Sequence, residues 1–337
     1  MLDHLVPPPD GLTFPANAEV AVIEAADGIR LRAVFLHPEA QALGTVFLLQ
    51  GRTEFIEKYA EVFENLLARH FAIASVDWRG QGGSERQLSN PRKGHVEDFD
   101  DYLLDLDVLI AEARKRNMPE PYGLLAHSTG GAIALLALAR GRDDFKRAVM
   151  TSPLVGIAGL RNKTGARVLA RTLSSIGLSG LYIPKGGPKS IFEKGFAGNP
   201  LTSDAQRFET CAAWIRKAPE IGIGDPTIGW VDAAFDAMAS FGDADFGREN
   251  CTPILMAIAG SDTVVDAEAS AALAYRMRSA SGITLRGARH EILMETDAIQ
   301  AEFWAAFDAF MRLGEPQTAP SEEADASPEA ATPMPEA

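Results

Sequence analysis

Cysteine is nearly missing from this sequence, which has only Cys211 and Cys251. Two cysteines cannot form a disulfide framework, and their spacing fits no metal site, so neither residue is assigned a role. Apolar residues make up 46% of the chain but are spread in short runs. None of these runs approaches the roughly 20 residues needed to cross a bilayer. These absences favour a soluble protein.

Basic residues are also scarce, with 32 Lys and Arg against 46 Asp and Glu, which gives a formal net charge of −14. Because such an excess of negative charge repels phosphate backbones, nucleic acid is not expected as a partner. Six of the acidic residues lie in residues 315–337, which contain no Lys or Arg. This segment is mostly Ala, Pro, Glu, Ser and Thr, and it has too little apolar surface to fold, so we expect a disordered tail.

The first ten residues lack the basic and then apolar regions that form a secretory signal. They carry Asp3 and a proline run from Pro7 to Pro9 instead. We therefore expect a cytoplasmic protein, and peripheral contact with the inner membrane stays open.

The sequence does have short apolar strands that alternate with amphipathic helices. Strands are expected over residues 19–24, 29–37, 45–49, 71–77, 122–126, 147–151, 254–259 and 283–286. Helices are expected between most of these strands, one of them over residues 56–69, and the helix over residues 98–116 has a regular apolar face. This alternation predicts an α/β protein with a doubly wound, mostly parallel sheet.

The pattern changes over residues 153–250, where helical stretches are mixed with scattered Gly and Pro and no strand is expected. We interpret this segment as a helical cap inserted into the sheet domain. The domain itself is then formed by residues 19–152 and 251–314. Residues 1–18 are an N-terminal extension, and residues 315–337 are the acidic tail.

Ser128 lies where an apolar strand meets a helix at a sharp turn that contains Gly130 and Gly131. Such a turn exposes the serine hydroxyl, and the amide of Thr129 at the start of the helix is suited to stabilise an oxyanion. The pattern resembles the G-x-S-x-G nucleophile elbow, with Ala126 in place of the first glycine. The alternative is an ordinary Gly/Ser turn before a buried helix.

A serine nucleophile needs a histidine base and a carboxylate that orients the histidine. His290 is the only histidine after Ser128 in the sequence, and it follows the last expected strand. Asp262 and Asp266 both follow the strand that ends at Ala259. We prefer Asp262, because it is nearer the strand end and because Asp266 suits the N-cap of the next helix. A surface histidine without a catalytic role is the alternative for His290.

The loop after the strand that ends at Leu49 is where a second oxyanion donor is expected. This loop contains Gly51, and the backbone amide of Arg52 is the candidate donor. In the alternative interpretation the loop is a simple turn, and Arg52 and Glu54 are solvated charges.

Several motifs together resemble the lysophospholipase L2 and monoacylglycerol-lipase-like group of α/β-hydrolases, over about residues 20–312. The motifs are residues 50–54 (QGRTE), 58–59 (KY), 77–84 (DWRGQGGS), 127–131 (HSTGG) and 288–293 (ARHEIL). In monoacylglycerol lipases the first loop more often begins with His-Gly, so Gln50 points to the lysophospholipase branch.

The resemblance implies an α/β-hydrolase fold and hydrolysis of a fatty-acyl ester, that of a lysophospholipid or a monoacylglycerol. The catalytic triad would be Ser128, His290 and Asp262, acting through an acyl-enzyme without a metal or an organic cofactor. The implied partner is a small lipid or ester substrate. Alternatives on the same fold are a small-ester esterase, a thioesterase, a proline-type aminopeptidase and a binding protein without catalysis.

The cap contains apolar residues that either line an acyl pocket or form the cap's own core. They are Leu173, Ile176, Leu178, Leu181, Ile183, Ile191, Phe192, Phe196 and Trp214. Three lysines in the cap, Lys185, Lys189 and Lys194, either meet anionic headgroups or are simply solvated. The sequence does not define the oligomeric state.

Overall fold

Residues 3–313 are described by a computed structural model, and they form one eight-stranded sheet with helices packed against it. The acidic tail expected over residues 315–337 lies outside the described residues. The strands are β1 (Glu19–Glu24), β2 (Arg30–Leu36), β3 (Gly44–Leu49), β4 (Phe71–Val76), β5 (Tyr122–His127), β6 (Phe145–Thr151), β7 (Ile254–Ala259) and β8 (Ala280–Leu285). Their order across the sheet is β1-β2-β4-β3-β5-β6-β7-β8.

Eight α-helices connect or flank these strands in the described part of the chain. They are α1 (Ala60–Ala68), α2 (Asp100–Lys115), α3 (Thr129–Ala139), α4 (Lys163–Leu173), α5 (Ala205–Lys217), α6 (Ile228–Phe241), α7 (Ala267–Arg276) and α8 (Asp297–Met311). The helix expected over residues 56–69 begins as a short 3-10 turn, Ile56–Tyr59, before α1. Within residues 3–313, no helix has both the length and the apolar character required to cross a membrane.

The sheet is antiparallel at one edge and parallel through the rest. Strand β1 pairs antiparallel with β2 through a turn at Gly28, whose φ of 85° suits glycine. Strand β2 is antiparallel to β4, and every later pair is parallel. The expected α/β class with a mostly parallel sheet is confirmed. Strands β3, β4, β5 and β7 are fully buried, as parallel strands covered on both faces should be.

The parallel strands bring the predicted site residues to one edge of the sheet. The register pairs Leu49 with Ala126 and Ala259 with Leu285, so the strand ends are nearly level. Because the carboxyl ends of parallel strands lie on the same side, the loops after β3, β5, β7 and β8 converge there. These loops carry the residues predicted for catalysis.

The chain between β6 and β7 contains helices α4, α5 and α6, and residues 153–250 add no strand to the sheet. Two isolated bridges occur nearby, Ile157 with Val265 and Tyr182 with Thr227. The segment therefore has the helical character that was expected. The domain boundaries themselves stay a prediction.

A buried ionic cluster fixes the glycine-rich loop after β4. The Arg32 guanidinium forms salt bridges with Glu57 at 2.7 Å and Asp77 at 2.6 Å, and none of these side chains is exposed. The Asp77 carboxylate also accepts the amide of Gly83 at 2.7 Å. A Cβ at Gly82 would lie 2.2 Å from the Asp77 carboxyl carbon, so the loop requires glycine there. Removing Arg32 would leave two buried carboxylates without their cation.

Candidate active site

Ser128 occupies the turn between β5 and α3, with φ 51° and ψ −112°. A positive φ is rare for a residue other than glycine and costs about 1–3 kcal/mol, so the surrounding structure must hold it in place. The Ser128 amide donates to the Thr151 carbonyl at 3.0 Å, and the Ser128 carbonyl accepts the amides of Ala132 and Leu154. These bonds at both ends of the residue hold the strained turn.

The elbow needs small residues because backbone segments come close together there. A Cβ at Gly130 would lie 2.2 Å from the Leu49 carbonyl oxygen, so any side chain would collide with β3. Ala126, the departure from the usual pattern, is fully buried and pairs in register with Leu49 and Met150. The strand therefore accepts the alanine methyl group without a bulge at that position.

Ser128, His290 and Asp262 form a continuous chain of hydrogen bonds. The His290 Nε2 atom lies 3.0 Å from the Ser128 Oγ, and its Nδ1 lies 2.8 Å from the Asp262 Oδ2. The tautomer with the proton on Nδ1 satisfies both contacts, because the ring then donates to Asp262 and accepts the serine hydroxyl. The structure thus places together the three residues predicted for the triad. Their catalytic role stays a prediction.

The Asp262 carboxylate is arranged to stay ionised. Burial alone would raise its pKa, but the hydrogen bond and the charge of His290 lower it below the ordinary value. The amides of Val264 and Val265 donate to the other oxygen at 2.8 and 3.0 Å and also lower the pKa. The Ser261 amide donates to the Ala288 carbonyl at 2.8 Å, which holds the loops after β7 and β8 together.

Asp266 has a different environment, which matches the N-cap alternative. Its side chain accepts the Ala269 amide at 3.0 Å and so caps α7, and it forms a salt bridge with Lys163 at 2.8 Å. No hydrogen bond within residues 3–313 joins Asp266 to His290.

The glycine-rich loop after β4 holds the loop that carries the proposed oxyanion donor through two hydrogen bonds. Trp78 Nε1 donates to the Gln50 carbonyl at 2.8 Å, and Gln81 Nε2 donates to the Gly51 carbonyl at 2.8 Å. The Arg52 amide has no acceptor within residues 3–313, and the Thr129 amide lies in the first turn of α3, where amides have no partner in the helix. Both amides therefore remain candidate oxyanion donors.

A cavity of about 410 Å³ opens above Ser128 and His290. Its apolar walls include Leu154, Ile157, Ile191, Leu201, Trp230 and Val264. Of the nine cap residues considered for an acyl pocket, Ile191 alone is among the described residues that line this cavity. Phe192 and Trp214 are buried in the core instead, whereas Ile176 and Leu181 are exposed. Most of the apolar wall is therefore formed by residues outside the nine that the sequence analysis proposed for an acyl pocket.

None of the three cap lysines lines the cavity within the described part of the chain. Lys194 forms a salt bridge with Asp225 at 2.9 Å, and all three lysines are exposed. They correspond to the solvated alternative.

The family described as serine aminopeptidase, S33, matches residues 40–297. The chain belongs to this family. Lysophospholipase L2 of Escherichia coli K12 is 32% identical over 288 residues, which cover 80% of this chain and 81% of that protein. Human monoglyceride lipase is 30% identical over 158 residues, 47% of this chain and 50% of that protein.

A crystal structure of a soluble variant of monoglyceride lipase from Saccharomyces cerevisiae superimposes with a TM-score of 0.70. The sequence identity is 18%, and the match covers 89% of this chain and 98% of that chain. At this identity the match shows the fold alone, and it confirms the α/β-hydrolase fold. The sequence relatives confirm the predicted resemblance to the lysophospholipase and monoacylglycerol-lipase-like group, and with it the class of carboxylic ester hydrolases.

A buried cluster of charged residues lies behind the site of this S33 family member, and the sequence analysis did not predict it. Glu54, Lys58, His127 and Glu291 are each at most 5% exposed. Lys58 forms salt bridges with Glu54 and, at 2.8 Å, with Glu291. The alternative interpretation of Glu54 as a solvated charge is therefore wrong, because its carboxylate accepts hydrogen bonds from Lys58, the Tyr59 hydroxyl and the Gly51 amide.

The pKa values in this cluster follow from burial and pairing. Burial alone would raise the pKa of Glu54, but Lys58 and His127 lower it to about 2. Burial raises the pKa of Glu291. The pKa of His127 falls to about 3, mainly because burial disfavours its charged form. His127 is therefore neutral beside Ser128.

Glu54, His127 and Glu291 are also the one group in residues 3–313 whose ligand atoms lie close enough to hold a metal ion, within 4.8 Å of one another. The Lys58 ammonium already lies against both carboxylates. A metal ion would have to displace this buried cation. We therefore interpret the cluster as a support for the loop from Gly51 to Glu54.

Proposed function

We propose that this protein hydrolyses the fatty-acyl ester of a monoacyl lipid, a lysophospholipid or a monoacylglycerol, through an acyl-enzyme on Ser128. The observation that supports this proposal most is the hydrogen-bond chain from Ser128 through His290 to Asp262 at the floor of a cavity with apolar walls. Such a cavity suits an acyl chain, and the hydrogen-bond chain suits acyl transfer.

In the proposed first step the Ser128 oxygen attacks the ester carbonyl carbon while its proton moves to His290 Nε2. The Asp262 carboxylate stabilises the imidazolium that forms. The amides of Arg52 and Thr129 donate to the oxyanion of the tetrahedral intermediate. The carbon–oxygen bond to the alcohol then breaks, and the leaving oxygen takes the proton from His290.

In the second step a water molecule enters and gives a proton to His290 as its oxygen attacks the acyl-enzyme. The intermediate collapses, Ser128 regains the proton, and the fatty acid leaves. The sum is one ester bond and one water converted into an acid and an alcohol. This sequence needs no cofactor.

The lipid part of the proposal has support from the relatives. The Escherichia coli protein named lysophospholipase L2 matches over most of its length, whereas the human monoglyceride lipase matches over half. We therefore place lysophospholipids before monoacylglycerols as the expected substrates. The family description names an aminopeptidase, so aminoacyl amides belong in the test.

The test is release of fatty acid from a lysophospholipid and from a monoacylglycerol by the purified wild type and by Ser128→Ala. The matched control is Ser89→Ala, which removes the hydroxyl of an exposed serine. We expect turnover by the wild type and the control and none above background by Ser128→Ala. Faster release from an aminoacyl amide than from either lipid would contradict the proposal, as would activity that survives in Ser128→Ala.

Peripheral contact with a membrane remains a prediction. Its support is a group of exposed apolar side chains on and after α4, with Val168 59%, Leu169 55% and Ile176 65% exposed. Apolar side chains in such positions can enter the headgroup region of a bilayer. Sedimentation with anionic vesicles would test it, and no loss of binding in a Leu169→Asp variant would contradict this placement.

A further inference from the structure

The side chain of Arg52 lies in the same cavity as Ser128 and has no ionic partner. Its Nε and Nη2 atoms are shielded from solvent, and neither forms a hydrogen bond within residues 3–313. No carboxylate of the described residues lies within salt-bridge distance of this guanidinium. A buried donor without an acceptor costs free energy, so a ligand that supplies the acceptor is favoured.

The other shielded arginines differ from Arg52 in this respect. Arg32 and Arg79 each form salt bridges with at least two carboxylates. Arg86 donates to four backbone carbonyls. These partners account for the burial of the three side chains. The Arg52 guanidinium instead lies over the Trp230 ring, with its central carbon 5.1 Å from the ring centre.

The surroundings of Arg52 leave it charged and able to bind an anion. Burial lowers its pKa to about 10, so the guanidinium is still protonated at neutral pH. The Asp225 carboxylate on the cavity wall, whose charge acts on the pKa of Arg52, is already paired with Lys194 at 2.9 Å. The buried hydroxyl of Tyr182 also has no hydrogen-bond partner in the described part of the chain, and this ring is near enough to influence the pKa of Arg52.

We propose that the Arg52 side chain binds the phosphate of a lysophospholipid whose ester is attacked by Ser128, and so selects this lipid over a neutral monoacylglycerol. The proposal rests on the proposed function. A planar guanidinium forms paired hydrogen bonds with phosphate oxygens, which a neutral glycerol headgroup does not accept in the same way. A three-carbon glycerol unit separates the ester from the phosphate, and Ser128 and Arg52 line the same cavity.

The test compares kcat/KM for a lysophosphatidylglycerol and for a monoacylglycerol with the same acyl chain. The variants are Arg52→Met, Arg52→Lys and, as a matched control, Arg161→Met, which changes an exposed arginine outside the cavity. The ratio of the two kcat/KM values should fall about 10- to 100-fold in Arg52→Met, the loss expected for a charged hydrogen bond. Arg52→Lys should give an intermediate ratio, and Arg161→Met the ratio of the wild type.

Because both substrates use the same oxyanion loop, an equal loss for both in Arg52→Met would overturn the phosphate proposal and leave the ester hydrolysis intact. Failure of the wild type on both lipids would instead count against the proposed function. A binding measurement on Ser128→Ala by calorimetry separates recognition from turnover. An ether-linked lysophosphatidylglycerol should bind more tightly than the matching alkylglycerol, and adding Arg52→Met should remove the difference. Equal affinity for the two ligands before that change would overturn the proposal.

Discussion

Asp262 and Asp266 follow the same strand, yet only Asp262 contacts His290, with its Oδ2 atom 2.8 Å from the histidine Nδ1. Asp266 caps α7 and pairs with Lys163 instead. The two aspartates therefore have different roles. Asp262 contacts the proposed base, and Asp266 caps a helix.

Replacing Asp262 by Asn should lower kcat by about 10⁴-fold, because the amide does not stabilise the imidazolium and favours the wrong tautomer. Asp266→Asn is the matched control, and it should retain activity within about twofold and change stability little, because Asn caps a helix about as well as Asp. Steady-state kinetics on a p-nitrophenyl ester gives kcat, and urea unfolding gives the free energy of unfolding. The reverse ranking of the two variants would assign the acid to Asp266.

Glu54→Gln should destabilise the protein strongly. The change removes one of the two carboxylates that pair with the buried Lys58, and a buried charge that loses a partner costs about 3–5 kcal/mol. Equilibrium unfolding in urea measures the loss. The control Glu64→Gln alters an exposed glutamate on α1 and should change the free energy of unfolding little. Equal stability of the two variants would mean that the cluster does not support the loop.

Stability should fall as the pH decreases, in part because of His127. Its pKa is about 3 in the folded protein, against 6.5 ordinarily. Between these values the unfolded chain binds a proton that the folded protein does not, so the contribution of His127 is complete above pH 6.5 and is lost as the pH falls toward 3.

His127→Asn removes this titration while the amide replaces the contact of Nδ1 with Thr151. The free energy of unfolding of the variant should therefore fall less between pH 7 and pH 4.5 than that of the wild type. Urea unfolding at the two pH values measures the difference. Parallel losses in both proteins would show that His127 is not the titrating group.

Gly130→Ala should lower both stability and activity, because the new methyl group would meet the Leu49 carbonyl oxygen at 2.2 Å. Overpacking of this kind costs about 1–3 kcal/mol and would move Ser128. Gly187→Ala is the control, since a Cβ there has no atom within 4 Å. Assays of thermal unfolding and ester hydrolysis should show losses of stability and activity in Gly130→Ala and none in Gly187→Ala. A fully active Gly130→Ala protein would show that the elbow tolerates a greater distance between Gly130 and Leu49.

The sheet could be predicted from the sequence because each buried strand is a short apolar run between turn residues. The order of Ser128, Asp262 and His290 could be predicted too, since each follows such a run. The helix boundaries were less accurate at residues 56–69, where a 3-10 turn precedes α1. Local patterns do not distinguish the first turn of a helix from this tighter form.

The charged residues behind the site could not be placed in the same way. Glu54 and Lys58 are four residues apart, but their partner Glu291 is more than 200 residues away in the sequence. Nothing in the spacing indicates that these charges are buried together. The family motifs at residues 50–54, 58–59 and 288–293 do contain Glu54, Lys58 and Glu291. The available signal was therefore the presence of charged residues within the motifs that also carry the proposed site residues.

The measurement that tests the central claim most directly is intact-protein mass spectrometry after reaction with a fluorophosphonate, followed by peptide mapping. A serine activated by His290 should form one phosphonyl adduct per chain, located on Ser128, and Ser128→Ala should form none. Slow labelling of Asp262→Asn with an unchanged site would agree with the proposed triad. An unlabelled wild-type protein, or an adduct on another residue, would contradict the assignment of Ser128 as the nucleophile.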